Sequence, residues 1–345
     1  MEDSIPIKGG INIIAVNIKI GGGLELLLYL VEYIKKKWPQ IKFRVYVDIS
    51  IQILQTGKNV EVIHMSGSLQ KIKLFSKKID NSIYFGNLPP LVKSENSMVY
   101  FHNQYLIMPF AKLIKISFKF AIKYTLQQIY VRFYIKNVDI VACQNEDIKS
   151  KFIEKYLYKK VKLYPFFRTC DKDFISKYEK IYDFCYVSLA YPHKNHQRLI
   201  EACEILLKEN IEFSLALTIE DGHSELISKI EEINRLDVVK ITNLGKLSKE
   251  EVCKLYAKSR SLIFPSTEET FGLALVEAID MNLDVIASDL EYVYQSIQPS
   301  LVFDPLDVNS IASVIKQYLA GNTQRSKSKI ENKIENLIEF LVKGK

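Results

Sequence analysis

The stretch PSTEETFGLALVEA, residues 265–278, places two carboxylates, Glu269 and Glu277, around an apolar string that runs from Phe271 to Val276. Glutamate is rarely buried without a partner, because desolvating an unpaired carboxylate costs several kcal/mol. The pattern predicts a strand ending at Ser266, a short polar loop, and a helix opening near Phe271 and Gly272. The free N–H groups of that first turn would point out of the C-terminal edge of a parallel sheet, where anions bind in open α/β folds. Glu269 stands before the helix, and Glu277 lies one to two turns inside it on the face of Leu273 and Ala274. A ligand carrying an anion and several hydroxyls would satisfy both ends, and a nucleotide sugar is such a molecule. The plainer alternatives are a structural salt bridge for Glu277 and a first-turn carboxylate favoured by the helix dipole for Glu269.

A second candidate lies near the start. Gly21-Gly22-Gly23 follows an apolar run and precedes LELLLYLVEYIKKK, so the glycines read as a tight turn between a strand and a helix. Such a turn presents N–H groups to an anion. Asp48, at the end of the next strand, has the spacing of a dinucleotide fingerprint, but Leu26 occupies the third glycine position of that motif. A glycine turn with no ligand is the alternative.

The elements that must position these residues alternate β-branched apolar runs with helical periodicity, the pattern of α/β layers with parallel sheets. INIIAVNI (11–18), FRVYVDI (43–49), SMVYFHN (97–103) and VDIVACQ (138–144) read as strands of a first half. FCYVSLA (184–190), FSLALTIE (213–220), SLIFPS (261–266) and DVIAS (284–288) read as strands of a second, with helices at 196–209 and 249–259. The domains are drawn at 1–165 and 166–325, followed by a helix at 326–345 that either half could take, packing back on the N-terminal domain being one option. A chain of 345 residues is too long for one comfortable core, and 48% hydrophobic with 25% charged content is ordinary for a globular protein.

The five cysteines form no CxxC pair, which suits a reducing compartment and argues against a disulfide framework or zinc ribbon. They are read as small core hydrophobes. Met1-Glu2-Asp3 lacks the cationic region of a secretory signal, and Lys19, Glu25 and Glu32 interrupt the apolar stretch 11–33, so a cytoplasmic location is expected. The net charge of +7 is local: residues 96–138 hold six basic residues and no acidic one. Lys112, Lys115, Lys119 and Lys123 recur at helical steps among apolar residues, which predicts one basic stripe on a helix in an anionic membrane interface, with a break near Gln127-Gln128 or a second helix to follow. Lysines that are merely solvated are the alternative.

FPSTEETFGLALVEAIDMNLDVIASD resembles the signature of the retaining glycosyltransferases of family 4, which carry two glutamates separated by seven residues. YPHKNHQRLIEA (191–202) is similar to that family's lysine-containing turn, and ITNLGKLSKEEVCKLYAKSRSLIFPS (241–266) to its approach to the signature. GGLE (22–25), VYFHNQ (99–104) and VDIVACQNEDIKSKF (138–152) are shorter likenesses in the first half. The resemblance implies a GT-B fold, α/β, with two Rossmann-like doubly wound domains facing a central cleft.

It further implies that Glu277 holds the nucleotide ribose and Glu269 contacts the transferred sugar. The N–H groups of Phe271, Gly272 and Leu273 would lie against the sugar and diphosphate, and Lys194 would neutralise the departing diphosphate. Gly22 and Gly23 would let the first loop approach the donor, with Glu25 beside them on the acceptor side and His102 near the sugar. Many members place an arginine six residues before the lysine, where this chain has Ser188. The charge would then fall to Lys194 alone or be shared with a cation around Arg168.

The implied activity is retaining transfer from a UDP- or GDP-linked sugar to a saccharide acceptor, lipid-linked and of the bacterial O-antigen or capsule type. The nucleotide sugar enters as substrate, with no cofactor and no metal, and no nucleic-acid partner is expected. The protein would sit peripherally on the inner face of the membrane. A nucleotide-sugar 2-epimerase of the same architecture and a non-catalytic membrane-surface protein are the competing readings.

Overall fold

The computed structural model describes residues 10–321 and 323–343, and the chain divides into two units, one reaching Phe167 and regaining the chain from Glu331, the other spanning Arg168–Ile330. The first unit is a parallel seven-stranded sheet in the order β3-β2-β1-β4-β5-β6-β7. Its strands are β1 (Ile11–Ala15), β2 (Phe43–Asp48), β3 (Val60–Met65), β4 (Ser82–Phe85), β5 (Ser97–Phe101), β6 (Ile140–Cys143) and β7 (Val161–Leu163). Four of them are buried along their whole length, as strands covered by helices on both faces must be. The helices are α1 (Gly21–Lys37), α2 (Gly67–Phe75), α3 (Phe110–Leu113), α4 (Phe118–Tyr134) and α5 (Glu146–Tyr156).

The second unit repeats this plan with six parallel strands in the order β10-β9-β8-β11-β12-β14. These are β8 (Tyr182–Tyr186), β9 (Phe213–Leu217), β10 (Val239–Asn243), β11 (Ser259–Phe264), β12 (Asp284–Ser288) and β14 (Leu301–Phe303), and β13 (Ile297–Gln298) pairs antiparallel with β15 (Lys327–Ser328). The helices are α6 (Asp173–Lys177), α7 (His196–Lys208), α8 (Ser224–Asn234), α9 (Lys249–Lys258), α10 (Leu273–Asp280), α11 (Glu291–Ser296) and α12 (Val308–Leu319). Both strand orders reverse direction at one place, between β1 and β4 and between β8 and β11, where a doubly wound sheet opens a crevice for ligands.

The last helix, α13 (Ile334–Lys343), belongs to the first unit. Asn96 Nδ2 donates to Leu341 O at 2.8 Å and Lys333 N–H to Pro165 O at 2.7 Å, while Leu337, Ile338 and Leu341 are buried.

Four expectations fail here. Cys170 and Cys253 form a disulfide, with Cα atoms 5.6 Å apart, because α6 and α9 pack together and bring positions 83 apart in sequence into contact. Cys143, Cys185 and Cys203 are free and buried. The glycines do not precede the helix: Gly21 opens α1 with φ +71°, so Gly22 and Gly23 form its first turn. The four lysines do not share one helix either. Lys112 lies within the short α3, Lys115 lies in the connection, and only Lys119 and Lys123 are on α4, which Ser117 caps by accepting from Phe120 N–H. Gln127 and Gln128 lie inside an unbroken α4, where Gln128 Nε2 donates to the carbonyls of Tyr105 and Met108, so the glutamines anchor the helix rather than interrupt it.

Candidate functional site

The second unit gathers its site at its switch point, from the loops that follow β8 and β11. After β8, Pro192–Lys194 forms a single 3₁₀ turn and Asn195 takes a left-handed conformation with φ +61°. The buried Asn195 Nδ2 donates to Pro265 O at 3.2 Å and to Pro305 O at 2.7 Å. His193 O accepts from Thr267 N–H at 2.8 Å, and Tyr186 Oη donates to Lys194 O at 2.7 Å. The lysine turn and the PSTEET loop are thus fastened to each other through their backbones.

That fastening brings Lys194 Nζ onto Glu269 Oε1, with both side chains largely buried. Lys194 also lies over the Phe264 ring, 5.8 Å from its centroid. The pair joins two of the three residues, Glu269, Lys194 and His102, to which sequence reasoning gave catalytic roles.

Beyond the loop, Gly272 stands at φ +70°, and a methyl group there would approach Leu275 Cδ1 to 2.8 Å. A left-handed residue with no room for Cβ explains the glycine that opens α10. Phe271 is buried, with its carbonyl accepting from Ser296 Oγ, and Leu273 begins the helix. The first turn of α10 contains no acidic side chain.

Glu277 faces the interior of the unit, and the partner that its burial demands is Lys249, whose Nζ lies 2.5 Å from Glu277 Oε1. Sequence reasoning missed Lys249. The one available signal was its place directly after the helix-capping Ser248 in GKLSKEE, which puts a cation at the C-terminal edge of the sheet. Ser188 N–H donates to Thr218 Oγ1 at 3.0 Å and its Oγ to Leu189 O at 3.1 Å, so this side chain caps the end of its strand.

His196, the first residue of α7, is buried against Tyr186 with ring centroids 4.6 Å apart. Burial holds its pKa down at about 4, against an opposing pull from Glu220. Burial, with Lys194 next in effect, also lowers the pKa of His193.

In the first unit, His102 follows β5 and sits beside Gly23 after β1. A methyl group on Gly23 would lie 2.9 Å from His102 Nε2, so this glycine is required by a close approach. The His102 backbone N–H donates to Asn87 Oδ1 at 2.7 Å, and the ring packs against the stacked pair Phe85 and Tyr100. Burial holds its pKa down at about 4, which keeps the imidazole neutral. Gly22 and Glu25 are exposed.

Asp48 does not behave as a ribose acceptor. Lys71 Nζ lies 2.5 Å away, Lys19 3.2 Å, and Ser50 donates both N–H and Oγ–H. Lys71 first and Ser50 next hold its carboxyl far below the usual range.

On α4 the residues Phe118, Ile122, Leu126, Ile129 and Phe133 are all exposed. At about 100° per residue they fall within one sector of about 80°, flanked by the exposed Lys119 and Lys123 on one side and Arg132 on the other. No helix among the described residues is long and apolar enough to cross a membrane.

The family profile described as glycosyl transferases group 1 matches residues 168–336, the second unit and the start of α13. The O-antigen chain mannosyltransferase RfbU of Salmonella typhimurium is 27% identical over 198 residues, which cover 55% of this chain and 55% of that protein. The serotype-specific mannosyltransferase WbdA of Escherichia coli is 31% identical over 152 residues, 43% of this chain and 18% of that protein. The matches therefore span about half of RfbU and less of WbdA. Among solved structures, sucrose-phosphate synthase from Thermosynechococcus elongatus superposes with a TM-score of 0.65 at 14% identity, over 96% of this chain and 94% of that one, which is a likeness of fold.

Proposed function

Residues 168–336 belong to the glycosyl transferases group 1 family, and we propose that the chain moves a sugar from a nucleotide-sugar donor to a saccharide acceptor with retention at the sugar carbon. The observation that carries this reading is the set of groups at one switch point: the Lys194–Glu269 pair, the N-terminus of α10 and the inward carboxylate of Glu277. Glu277 accepts the ribose hydroxyls, and the N–H groups of Phe271, Gly272 and Leu273 face the diphosphate and sugar. Glu269 orients the sugar hydroxyls. Lys194 stabilises the charge that develops on the departing diphosphate, a task a fixed cation performs without a metal. Gly22, Gly23, Glu25 and the neutral His102 serve the acceptor and sugar from the first unit. Relatives named as mannosyltransferases make a mannosyl donor the first to test.

The acceptor is lipid-linked in this proposal, and α4 docks the protein peripherally on the inner face of an anionic membrane. The support is its exposed apolar stripe with flanking lysines, the composition of a helix lying in the interface plane. The test of function incubates the purified protein with UDP- and GDP-linked sugars, with and without a lipid-linked saccharide. Sugar transfer that needs the acceptor and disappears in Glu269→Gln is expected. Turnover of the nucleotide sugar with no acceptor, yielding an epimer, would replace this reading with the epimerase.

A further inference from the structure

Lys249 is a charged group of the second unit that the transfer scheme leaves unused, and its place is well fixed. It is the first residue of α9, directly after Ser248, whose Oγ accepts from Glu251 N–H at 3.4 Å while Glu251 Oε2 accepts from Ser248 N–H at 2.7 Å. This reciprocal cap sets where the helix begins. One turn further on, Cys253 ties α9 to Cys170 through the disulfide, and Val252, Leu255 and Tyr256 are buried. A helix held at its start and along its inner face delivers the Lys249 ammonium to one spot, 2.5 Å from Glu277 Oε1.

Glu277 is fixed too, in the second turn of α10 with its side chain 8% exposed. Desolvating a carboxylate so enclosed is costly unless a cation meets it. A carboxylate offers about four acceptor directions, so it can accept from an ammonium and from hydroxyl donors together. We infer that Lys249 is a positioning residue of the nucleotide site, holding the Glu277 carboxylate in place and turned so that it accepts hydroxyls of the bound nucleoside. The inference rests on the donor-site reading above and adds to it the residue that sets affinity for the nucleoside part.

The experiment titrates UDP and GDP, as separate probes, into the wild type, Lys249→Met, Lys249→Arg, Glu277→Gln and the Lys249→Met/Glu277→Gln double variant, with calorimetry and a thermal melt of each protein. Loss of one charge-assisted contact predicts that Lys249→Met binds about tenfold more weakly, while Lys249→Arg stays within about threefold of wild type. The double variant binds no more weakly than Glu277→Gln alone, because Lys249 acts through that carboxylate. In turnover assays Lys249→Met raises KM for the donor with kcat nearly unchanged. A purely structural lysine would lower the melting temperature and leave both Kd of the folded fraction and KM unmoved, and that result overturns the inference. Tighter binding by Lys249→Met also overturns it, since it would mean that the lysine competes with the nucleoside. Absence of UDP and GDP binding by the wild type would sink the donor-site reading and this inference together, whereas normal binding by Lys249→Met sinks only the latter.

Discussion

Replacing Lys194 by Met removes the cation from a carboxylate whose own side chain is 15% exposed, with the lysine at 17%. Each group gave up most of its hydration to make this contact, so the survivor of a single substitution is left desolvated. Fully buried pairs lose about 3–5 kcal/mol when one partner is removed, and hydrogen bonds to charged groups are worth about 1.5–3 kcal/mol. The residual exposure here admits water to the survivor, so about 2 kcal/mol is expected for Lys194→Met and about the same for Glu269→Gln. For a unit of this size that corresponds to a melting temperature lower by about 4–8 °C. The double variant should lose about 2 kcal/mol as well, not about 4, because the second substitution removes a group that the first had already stranded. Denaturant unfolding of the four proteins gives the coupling directly. Activity should behave differently: Lys194→Met lowers kcat by at least about a hundredfold, as removal of one preorganised charge-stabilising group does, and Lys194→Arg restores part of it. Additive stability losses would show that the pair does not exist in solution. A kcat unchanged in Lys194→Met would refute the role at the diphosphate.

His196 is buried neutral, with its pKa lowered to about 4. The folded value lies below the ordinary one of about 6.5, so the stabilisation is fully present above pH 6.5 and is lost as the pH falls toward 4, about 3 kcal/mol over the interval. Replacing His196 by Phe should flatten the dependence of stability on pH there, and an unchanged slope would assign that dependence to other groups. The disulfide closes a separation of 83 residues, for which chain entropy alone gives about 4.5 kcal/mol. Dithiothreitol and Cys170→Ser should therefore lower the melting temperature of the second unit by similar amounts, and a melt insensitive to both would mean that the two sulfurs are not joined in solution. For α4, replacing Leu126 and Phe133 by Glu should abolish binding to vesicles containing anionic lipid, while substitution of Lys119 and Lys123 by Gln should weaken binding most at low salt. Retention of vesicle binding by the Leu126/Phe133 variant would exclude this face as the docking surface.

Much of the fold was readable because its signals are local. Runs such as DVIAS and SMVYF centre on apolar residues over the length a doubly covered parallel strand requires, and both are strands. Glycine 272 announces a left-handed opening to a helix, and the seven residues between the two glutamates place one on a loop and the other inside α10, whatever surrounds them. Strands such as VEVIHM and VKL escaped because exposed and charged residues interrupt their periodicity, and the sheet edge supplies the hydrogen bonds that define them. What met Glu277 was not readable. The sequence says that a carboxylate on the inward face of a helix needs a partner, since desolvation acts on any such group. That the partner is Lys249, 28 positions earlier, depends on how α9 and α10 lie against one sheet. The same holds for Gly23 and His102, which meet at one edge of the sheet although β4 separates β1 from β5, and for Cys170 and Cys253, which composition argued would remain unpaired. Backbone conformation and the burial of a face follow from residue type and spacing over a few positions. Pairing between distant side chains follows from the order of strands in the sheets, a property of the whole chain that no local pattern encodes.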